Sequence, residues 1–303
     1  LFTLKSGIIS QNEINSIYSD TLFLRAQGEF YAQYISYNAS MYKTETIELA
    51  KIAITKDDDE KLQILGSLGI RDQSFIEQVD NFAFFGDMVL LDWWKHKLKT
   101  VKELQALHPS YTLGLNSQDI TFTKWLSYQF VHSGFVHFLG NMLFLLIFGC
   151  MLEPIIGGLG LLVTYLLTGM IAAGVFLFLS GVSSIPLIGA SGAVSGIMAF
   201  FCFLFWDRSV RYVYFLFIPR RGYAGYVYLP GWVTMAIWFI SDLAGYIGTV
   251  DEFGGIAHTA HLGGELSGII AGFVIFTVRK FLNKDPLPIE KLPPTFPVGT
   301  KIA

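Results

Sequence analysis

The chain has 303 residues, a length that fits one or two domains. Hydrophobic residues make up 52% and charged residues only 15%, against about a quarter in soluble domains, so the composition favours a membrane protein. The net charge of −3 gives no indication of a nucleic-acid partner, and the two cysteines, Cys150 and Cys202, supply neither a disulfide framework nor a zinc-ligand spacing.

The first part of the chain is polar. Residues 1–130 hold 12 of the 21 Lys and Arg residues and 16 of the 24 Asp and Glu residues. They contain no uncharged apolar run long enough to cross a bilayer, and we expect a mainly helical, soluble or interfacial segment over residues 1–120. Residues 81–98 form an aromatic, amphipathic pattern that fits either a helix facing a protein core or a helix lying on the membrane surface.

The second part of the chain is apolar. It contains five stretches that approach the roughly 20 residues that a helix needs to cross a bilayer. These predicted spans are 136–153, 158–181, 185–206, 229–248 and 256–278. A basic loop over Arg208–Arg221 follows the third span, and Arg279, Lys280 and Lys284 follow the fifth. Since Lys and Arg mark cytoplasmic loops, both basic segments are predicted to be cytoplasmic, and the acidic 251–252 loop is predicted to face outward.

The first polar pattern inside these spans is the run Gly189–Gly192, with Ser191 between small residues. A serine flanked by small residues leaves its hydroxyl open to a substrate, and glycine lets a bound peptide approach the backbone. If Ser191 begins a helix, the N–H groups of the first turn can stabilise an oxyanion. The run also fits a plain helix-packing surface, because small residues are typical of contacts between membrane helices.

The second pattern surrounds His261. Two pairs of glycines with four-residue spacing are predicted to form matching helix faces: Gly192 with Gly196, and Gly264 with Gly268. Packing of these faces would bring His261 close to Ser191, where a neutral imidazole could accept the hydroxyl proton. The alternative is a histidine that is hydrogen-bonded to a backbone carbonyl.

The third pattern is His137 and Asn141, whose four-residue spacing puts both side chains on one helix face. Both can donate hydrogen bonds to a developing oxyanion. Polar contacts between packed helices are the alternative.

Taken together, the order His-x-x-x-Asn, Gly-x-Ser-Gly and Ala-His-x-x-Gly-x-x-x-Gly on separate apolar spans resembles the rhomboid family of intramembrane serine proteases. The likeness covers about residues 120–280, roughly half of the chain. It predicts an all-α, polytopic transmembrane helical bundle, with a rhomboid-like protease domain over 121–282 and a cytoplasmic tail over 283–303. Further matches are Trp125, His132, Gly149 and Glu153.

The resemblance implies a role for each matching residue. Ser191 would be the nucleophile and His261 the general base and acid, in a dyad that has no obligatory Asp. His137, Asn141 and the Ser191 N–H would form the oxyanion hole, and Gly189 would line it. No metal and no cofactor are implied. The substrates would be transmembrane segments of membrane proteins with a destabilised, small-residue stretch near the outer face, since such a stretch unwinds more easily.

The sequence departs from the family pattern at two residues: Leu126 follows Trp125 where many members have Arg, and the other departure lies near the dyad. Some bacterial members carry a Tyr four residues after the nucleophile, stacked on the histidine, and Ser195 stands there. Another group must then orient His261, and we expect Glu265, one turn further along the same helix, to do so directly or through a water. The alternative is a carboxylate that is hydrogen-bonded elsewhere in the helix bundle. His258 is also nearby, but only His261 has the glycine spacing of the motif.

The number of spans is a third departure. The family core has six helices, and only five apolar stretches are present in this sequence. We expect the first helix to precede Leu1, with residues 1–120 as a long first loop. The alternative, that residues 81–98 replace the first helix, is opposed by the charges of Asp87, Asp92 and Lys95.

Three functions follow from these patterns. The leading prediction is an intramembrane serine endopeptidase, an integral multi-pass protein of a bacterial inner membrane, with its active site near the outer face. The second is a non-catalytic relative that binds transmembrane helices. The third is a proton-linked transporter built on the intramembrane His, Glu and Asp residues, although no inverted repeat supports it. The sequence indicates neither the substrate nor the oligomeric state.

Overall fold

A computed structural model describes residues 12–117, 119–179, 186–215, 224–248, 258–282 and 295–297. The chain divides into two compact units. The first unit includes the residues up to Lys124, and the second includes Trp125–Ser180 and the residues from Leu187 onward.

The first unit is helical, as the sequence predicts. Its helices are α1 (12–18), α2 (Thr21–Tyr37), α3 (Thr44–Lys56), α4 (Asp59–Gly69), α5 (Gln73–Gln78), α6 (Met88–Leu107) and α7 (Pro109–Thr112), and α8 (Phe122–Ser127) follows them. Four of these helices begin after an aspartate whose carboxylate accepts hydrogen bonds from the N–H groups of the first turn: Asp20, Asp58, Asp72 and Asp87. Aspartate favours helix starts because it satisfies donors that have no partner within the helix.

The aromatic residues of the first unit form its core. Trp94 of α6 is fully buried and packs against Phe30, Phe75 and Phe84. Of the two interpretations of residues 81–98, the packing favours the helix that faces a protein core. The helix begins only at Met88, because Asp87 caps it, so the amphipathic pattern predicted its start too early.

The second unit is built from four apolar helices. These are α9 (Phe135–Leu179), α10 (Ser191–Leu204), α11 (Gly231–Gly248) and α12 (His258–Phe281). Non-helical backbone at Gly157 (φ 77°, ψ 161°) breaks α9 into two arms, which match the first two predicted spans. Within the described residues, α9 and α12 are long and apolar enough to cross a membrane, while α10 and α11 are shorter apolar helices.

The basic segment Arg208–Arg221 is predicted from the sequence to be a loop, and this is wrong for residues 208–215, while residues 216–221 lie outside the described residues. Residues Arg208–Phe215 form strand β1, which pairs antiparallel with β2 (Ala224–Pro230) and with β3 (Thr295–Pro297) in the order β2-β1-β3. The segment is rich in Val, Tyr and Phe, which suits a strand, but the prediction of a loop rested on its arginines. Because β2 ends at Pro230, α11 begins two residues later than the predicted span.

Candidate active site

Ser191 is the first residue of α10 and follows a bend at residues 189–190. The Val194 N–H donates to the Ala190 carbonyl at 2.9 Å, so the N–H groups of residues 191–193 have no carbonyl acceptor within the helix. These N–H groups and the positive end of the helix dipole can stabilise a negative oxygen beside the Ser191 hydroxyl.

The bend before Ser191 is fixed by two backbone donors. The Gly189 N–H donates to the Tyr128 carbonyl at 2.9 Å, and the Ala190 N–H donates to Nε2 of His132 at 3.4 Å. Gly189 has a φ of 113°, which favours glycine, and a Cβ there would lie 3.0 Å from Nε2 of His137. Both the backbone and the available space therefore require glycine at this position.

The predicted glycine faces bring the backbones of α10 and α12 into contact. A Cβ on Gly264 would lie 2.0 Å from the Gly192 carbonyl oxygen, and a Cβ on Gly268 would lie 2.0 Å from the Gly196 carbonyl oxygen. A carbon and a carbonyl oxygen need about 3.3 Å even in a close C–H···O contact. Only glycine at residues 264 and 268 therefore permits this approach.

This contact extends to the ends of the two helices that carry the predicted dyad. A Cβ on Gly192 would lie 3.4 Å from the carbonyl oxygen of Ala260, which precedes His261. On its other side Gly192 faces the second arm of α9, where its Cβ would lie 2.8 Å from Cβ of Ala172. The start of α10 is thus held between α9 and the first turn of α12.

The imidazole of His261 is held by a carboxylate from α11. Its Nδ1 lies 2.9 Å from Oδ1 of Asp242, and Nδ1 of His258 lies 2.8 Å from the same oxygen. Asp242 is only 5% exposed. We call Asp242, His258 and His261 the His–Asp–His cluster. The other ring nitrogen of His261, Nε2, is buried and makes no hydrogen bond with any residue that the structure describes.

Glu265 was predicted to orient His261, and the structure assigns that hydrogen bond to Asp242 instead. Glu265 is 2% exposed, and neither of its carboxylate oxygens has a hydrogen-bond partner among the described residues. Asp242 could not be identified from local spacing, because such spacing does not encode a contact between two separate helices. The available signal was its position as the only charged residue in the apolar stretch 229–248.

His137 begins the first arm of α9 and is oriented by Ser133. Its Nδ1 lies 3.0 Å from Oγ of Ser133 and 3.5 Å from the Ser133 N–H. A backbone N–H can only donate, so Nδ1 is an acceptor and the proton of the neutral ring is on Nε2. That N–H points toward the bend, because the Cβ position of Gly189 lies 3.0 Å from Nε2 and 3.8 Å from Oγ of Ser191.

Asn141 lies one turn after His137 and is 7% exposed. One amide hydrogen on its Nδ2 is donated to the His137 carbonyl at 2.9 Å. The amide has a second hydrogen, which remains a donor for an oxyanion. The three polar patterns of the sequence lie on elements of the second unit.

The His–Asp–His cluster is the group in the described residues that could hold a metal ion, with one ligand atom from each side chain and all three atoms within 4.8 Å of one another. Two histidines and a carboxylate suit zinc. The distances of 2.8 and 2.9 Å between the nitrogens and the carboxylate oxygen are those of hydrogen bonds, which the cluster makes without an ion.

Comparison with known proteins agrees with this geometry. The family model described as Rhomboid domain matches residues 120–278, just over half of the chain. The chain is 29% identical over 173 residues to "Rhomboid protease GlpG" of Haemophilus influenzae, covering 57% of this chain and 78% of that protein. It is 31% identical over 170 residues to "Rhomboid-like protein 11, chloroplastic" of Arabidopsis thaliana, covering 53% of this chain and 55% of that protein. It thus spans about half the length of the Arabidopsis relative. The all-α apolar bundle, the three motifs and these matches together show that the chain belongs to the rhomboid family of integral membrane proteins.

Proposed function

We propose that this protein is an intramembrane serine endopeptidase that cleaves transmembrane segments of membrane proteins with Ser191 and His261. The observation that carries the proposal is the backbone contact between Gly192 and Gly264, which joins the nucleophile's helix to the base's helix. The family consists mostly of serine proteases and also contains inactive relatives. An inactive relative that binds transmembrane helices is the second function predicted from the sequence. Both members of the dyad are present in this chain.

The proposed reaction has two stages. Oγ of Ser191 attacks the carbonyl carbon of the scissile peptide, and its proton moves to Nε2 of His261. The tetrahedral oxyanion accepts hydrogen bonds from the Ser191 N–H, from Nε2 of His137 and from the Asn141 amide, with Gly189 lining the pocket. The C–N bond then breaks, and the leaving amine takes the proton from Nε2. Water then attacks the carbonyl carbon of the acyl-enzyme and gives a proton to Nε2 of His261. The ester bond to Oγ of Ser191 breaks, Oγ takes the proton from Nε2, and a new carboxyl terminus is released.

An apolar cleft beside the site supports a transmembrane substrate. The cleft has a volume of about 250 Å³ and is lined by residues of α9, α11, β1 and β2, including Phe144, Trp238 and Tyr212. Phe144 lies one turn after Asn141, and Trp238 lies one turn before Asp242. An apolar segment in this cleft would therefore lie about one helical turn from Asn141 on α9 and from Asp242 on α11.

The proposed organisation keeps the predicted boundaries. Residues 1–120 form an extramembrane helical domain, 121–282 the membrane protease domain and 283–303 a cytoplasmic tail. We propose a bacterial plasma membrane as the location, with the active site near the outer face. Protease accessibility of the loop over residues 251–252 in spheroplasts tests this orientation: cleavage from the outside is expected, and protection in intact spheroplasts together with cleavage after lysis contradicts it.

The activity is tested by cleavage of a reporter transmembrane substrate in detergent. We expect cleavage by the wild type and none by Ser191→Ala or His261→Ala. Gly140→Ala is the matched control, because a Cβ at Gly140 meets no atom within 4 Å, and it should cleave as the wild type does. Equal cleavage by wild type and both dyad variants contradicts the proposal. Binding of the substrate without cleavage by the wild type would favour the non-catalytic relative.

A further inference from the structure

The carboxylate of Asp242 fixes the tautomer of His261. An ionised carboxylate can only accept hydrogen bonds, so Nδ1 of His261, 2.9 Å from Oδ1, must carry the proton. The lone pair of the neutral ring is then on Nε2, the nitrogen that has no partner among the described residues. This is the tautomer that can accept a proton from a serine hydroxyl.

The same carboxylate can stabilise the charge that forms during the reaction. When Nε2 takes the serine proton, the ring becomes an imidazolium, and Asp242 lies in hydrogen-bond contact with it. Asp242 is 5% exposed, and the attraction between opposite charges is stronger in a poorly solvated site than in water. The carboxylate therefore favours the protonated form of the base without itself taking up the proton.

His258 holds the carboxylate in position. Its Nδ1 lies 2.8 Å from the same Oδ1, so both lone pairs of that oxygen have a donor. The ring of His258 fits against Gly245 of α11, where a Cβ would lie 2.3 Å from its Cε1 and Nε2. The glycine one turn after Asp242 thus leaves the space that this second histidine needs.

We propose that Asp242 is a positioning residue that completes a Ser191–His261–Asp242 triad, with His258 as the group that locks the carboxylate. The proposal rests on the proposed function, because it assigns a role only to the partner of the proposed base. It goes beyond the dyad that the sequence motif implies, and it explains how His261 is oriented although Ser195 replaces a stacking aromatic ring.

The kinetic test compares Asp242→Asn with Glu265→Gln in the full chain in detergent. An Asn at residue 242 keeps the shape of the side chain but can donate to Nδ1, which moves the imidazole proton to Nε2 and removes the base. We expect kcat for Asp242→Asn to fall about a hundredfold or more with KM changed less than threefold, because wrong-tautomer losses and general-base losses are of this size. Glu265→Gln keeps the shape of a buried side chain that interacts with Asp242 but makes no hydrogen bond with His261, and its kcat should fall less than that of Asp242→Asn.

The outcomes separate this inference from the proposed function. Wild-type kcat for Asp242→Asn, with no cleavage by Ser191→Ala, would overturn the triad and leave the dyad intact. Cleavage by Ser191→Ala at the wild-type rate would instead remove the proposed function.

A spectroscopic test needs no variant at residue 242. In wild-type protein labelled with ¹⁵N-histidine, the ring nitrogens of His261 should show a protonated Nδ1 and an unprotonated Nε2 at neutral pH. His261→Gln assigns the signals, and Ser191→Ala should leave the tautomer unchanged because the carboxylate sets it. A protonated Nε2 with an unprotonated Nδ1 in the wild type overturns the proposal even if Asp242→Asn fails to fold.

Discussion

Replacing Gly264 by alanine tests whether the contact between α10 and α12 sets the geometry of the site. The new Cβ would lie 2.0 Å from the Gly192 carbonyl oxygen. Relief to a close C–H···O contact of about 3.3 Å requires the helices to separate by about 1.3 Å. Neither group can rotate away, because both belong to helix backbone.

The separation should act on catalysis through the distance between Ser191 and His261. A displacement of about 1 Å in a catalytic group lowers the rate about a hundredfold, so we expect kcat for Gly264→Ala to fall by about that factor. Gly268→Ala meets the Gly196 carbonyl oxygen at the same distance one turn further from the dyad, and its loss should be smaller. Gly140→Ala serves again as the control for a helical glycine with open space.

The assay is cleavage of the reporter transmembrane substrate, with thermal unfolding measured on the same samples. Folded Gly264→Ala protein with low kcat is the expected result. Folded protein with wild-type kcat would refute the reasoning, because it would show that the helices tolerate the extra methyl group without moving the dyad. Should Gly264→Ala fail to fold, Gly192→Ala carries the test by the same criteria, because a Cβ there meets its nearest atom, Cβ of Ala172, at 2.8 Å.

Three further predictions follow from single contacts. Gly189→Ala should lower kcat at least tenfold and change KM little in the cleavage assay. The reason is that residue 189 has a positive φ and that the new Cβ would contact His137. An unchanged kcat contradicts the assigned bend. Asp72→Ala removes the cap of α5 and the acceptor of two tyrosine hydroxyls. It should therefore destabilise the first unit by about 2–4 kcal/mol, measured as faster hydrogen exchange in α2 and α5. Unchanged exchange contradicts this prediction. Added Zn²⁺ should inhibit cleavage reversibly, because a metal bound to Nδ1 of His261 leaves the proton on Nε2, where the base needs a lone pair. The inhibition should be weaker in His258→Gln. Equal inhibition of that variant would show that zinc acts elsewhere.

Much of the second unit could be predicted because membrane spans leave a long apolar signal. Four helices supply the five predicted stretches, since one helix is broken at Gly157. Four-residue spacing places glycines on one helix face, so the contact of Gly264 with Gly192 could also be expected before any coordinates. The motifs identify the family for the same reason, because their spacing follows the helix.

Some contacts that depend on tertiary structure could not be predicted from the sequence. The partner of His261 comes from α11, and the nearest carboxylate in sequence, Glu265, was chosen in place of Asp242. The strand at Arg208–Phe215 was not predicted because its two arginines suggested a cytoplasmic loop. One of its pairing partners, β3, lies 85 to 89 residues further along the chain. Local periodicity cannot rank such distant partners, because each pairing depends on how the intervening helices pack.

Labelling with a fluorophosphonate tests the central claim most directly, because the reagent forms a covalent bond only with an activated serine. Mass spectrometry of the labelled protein should find one adduct on Ser191 in the wild type, no adduct in Ser191→Ala, and strongly reduced labelling in His261→Ala. Labelling of another serine, or equal labelling of wild type and His261→Ala, would contradict the account of Ser191 as a nucleophile activated by His261.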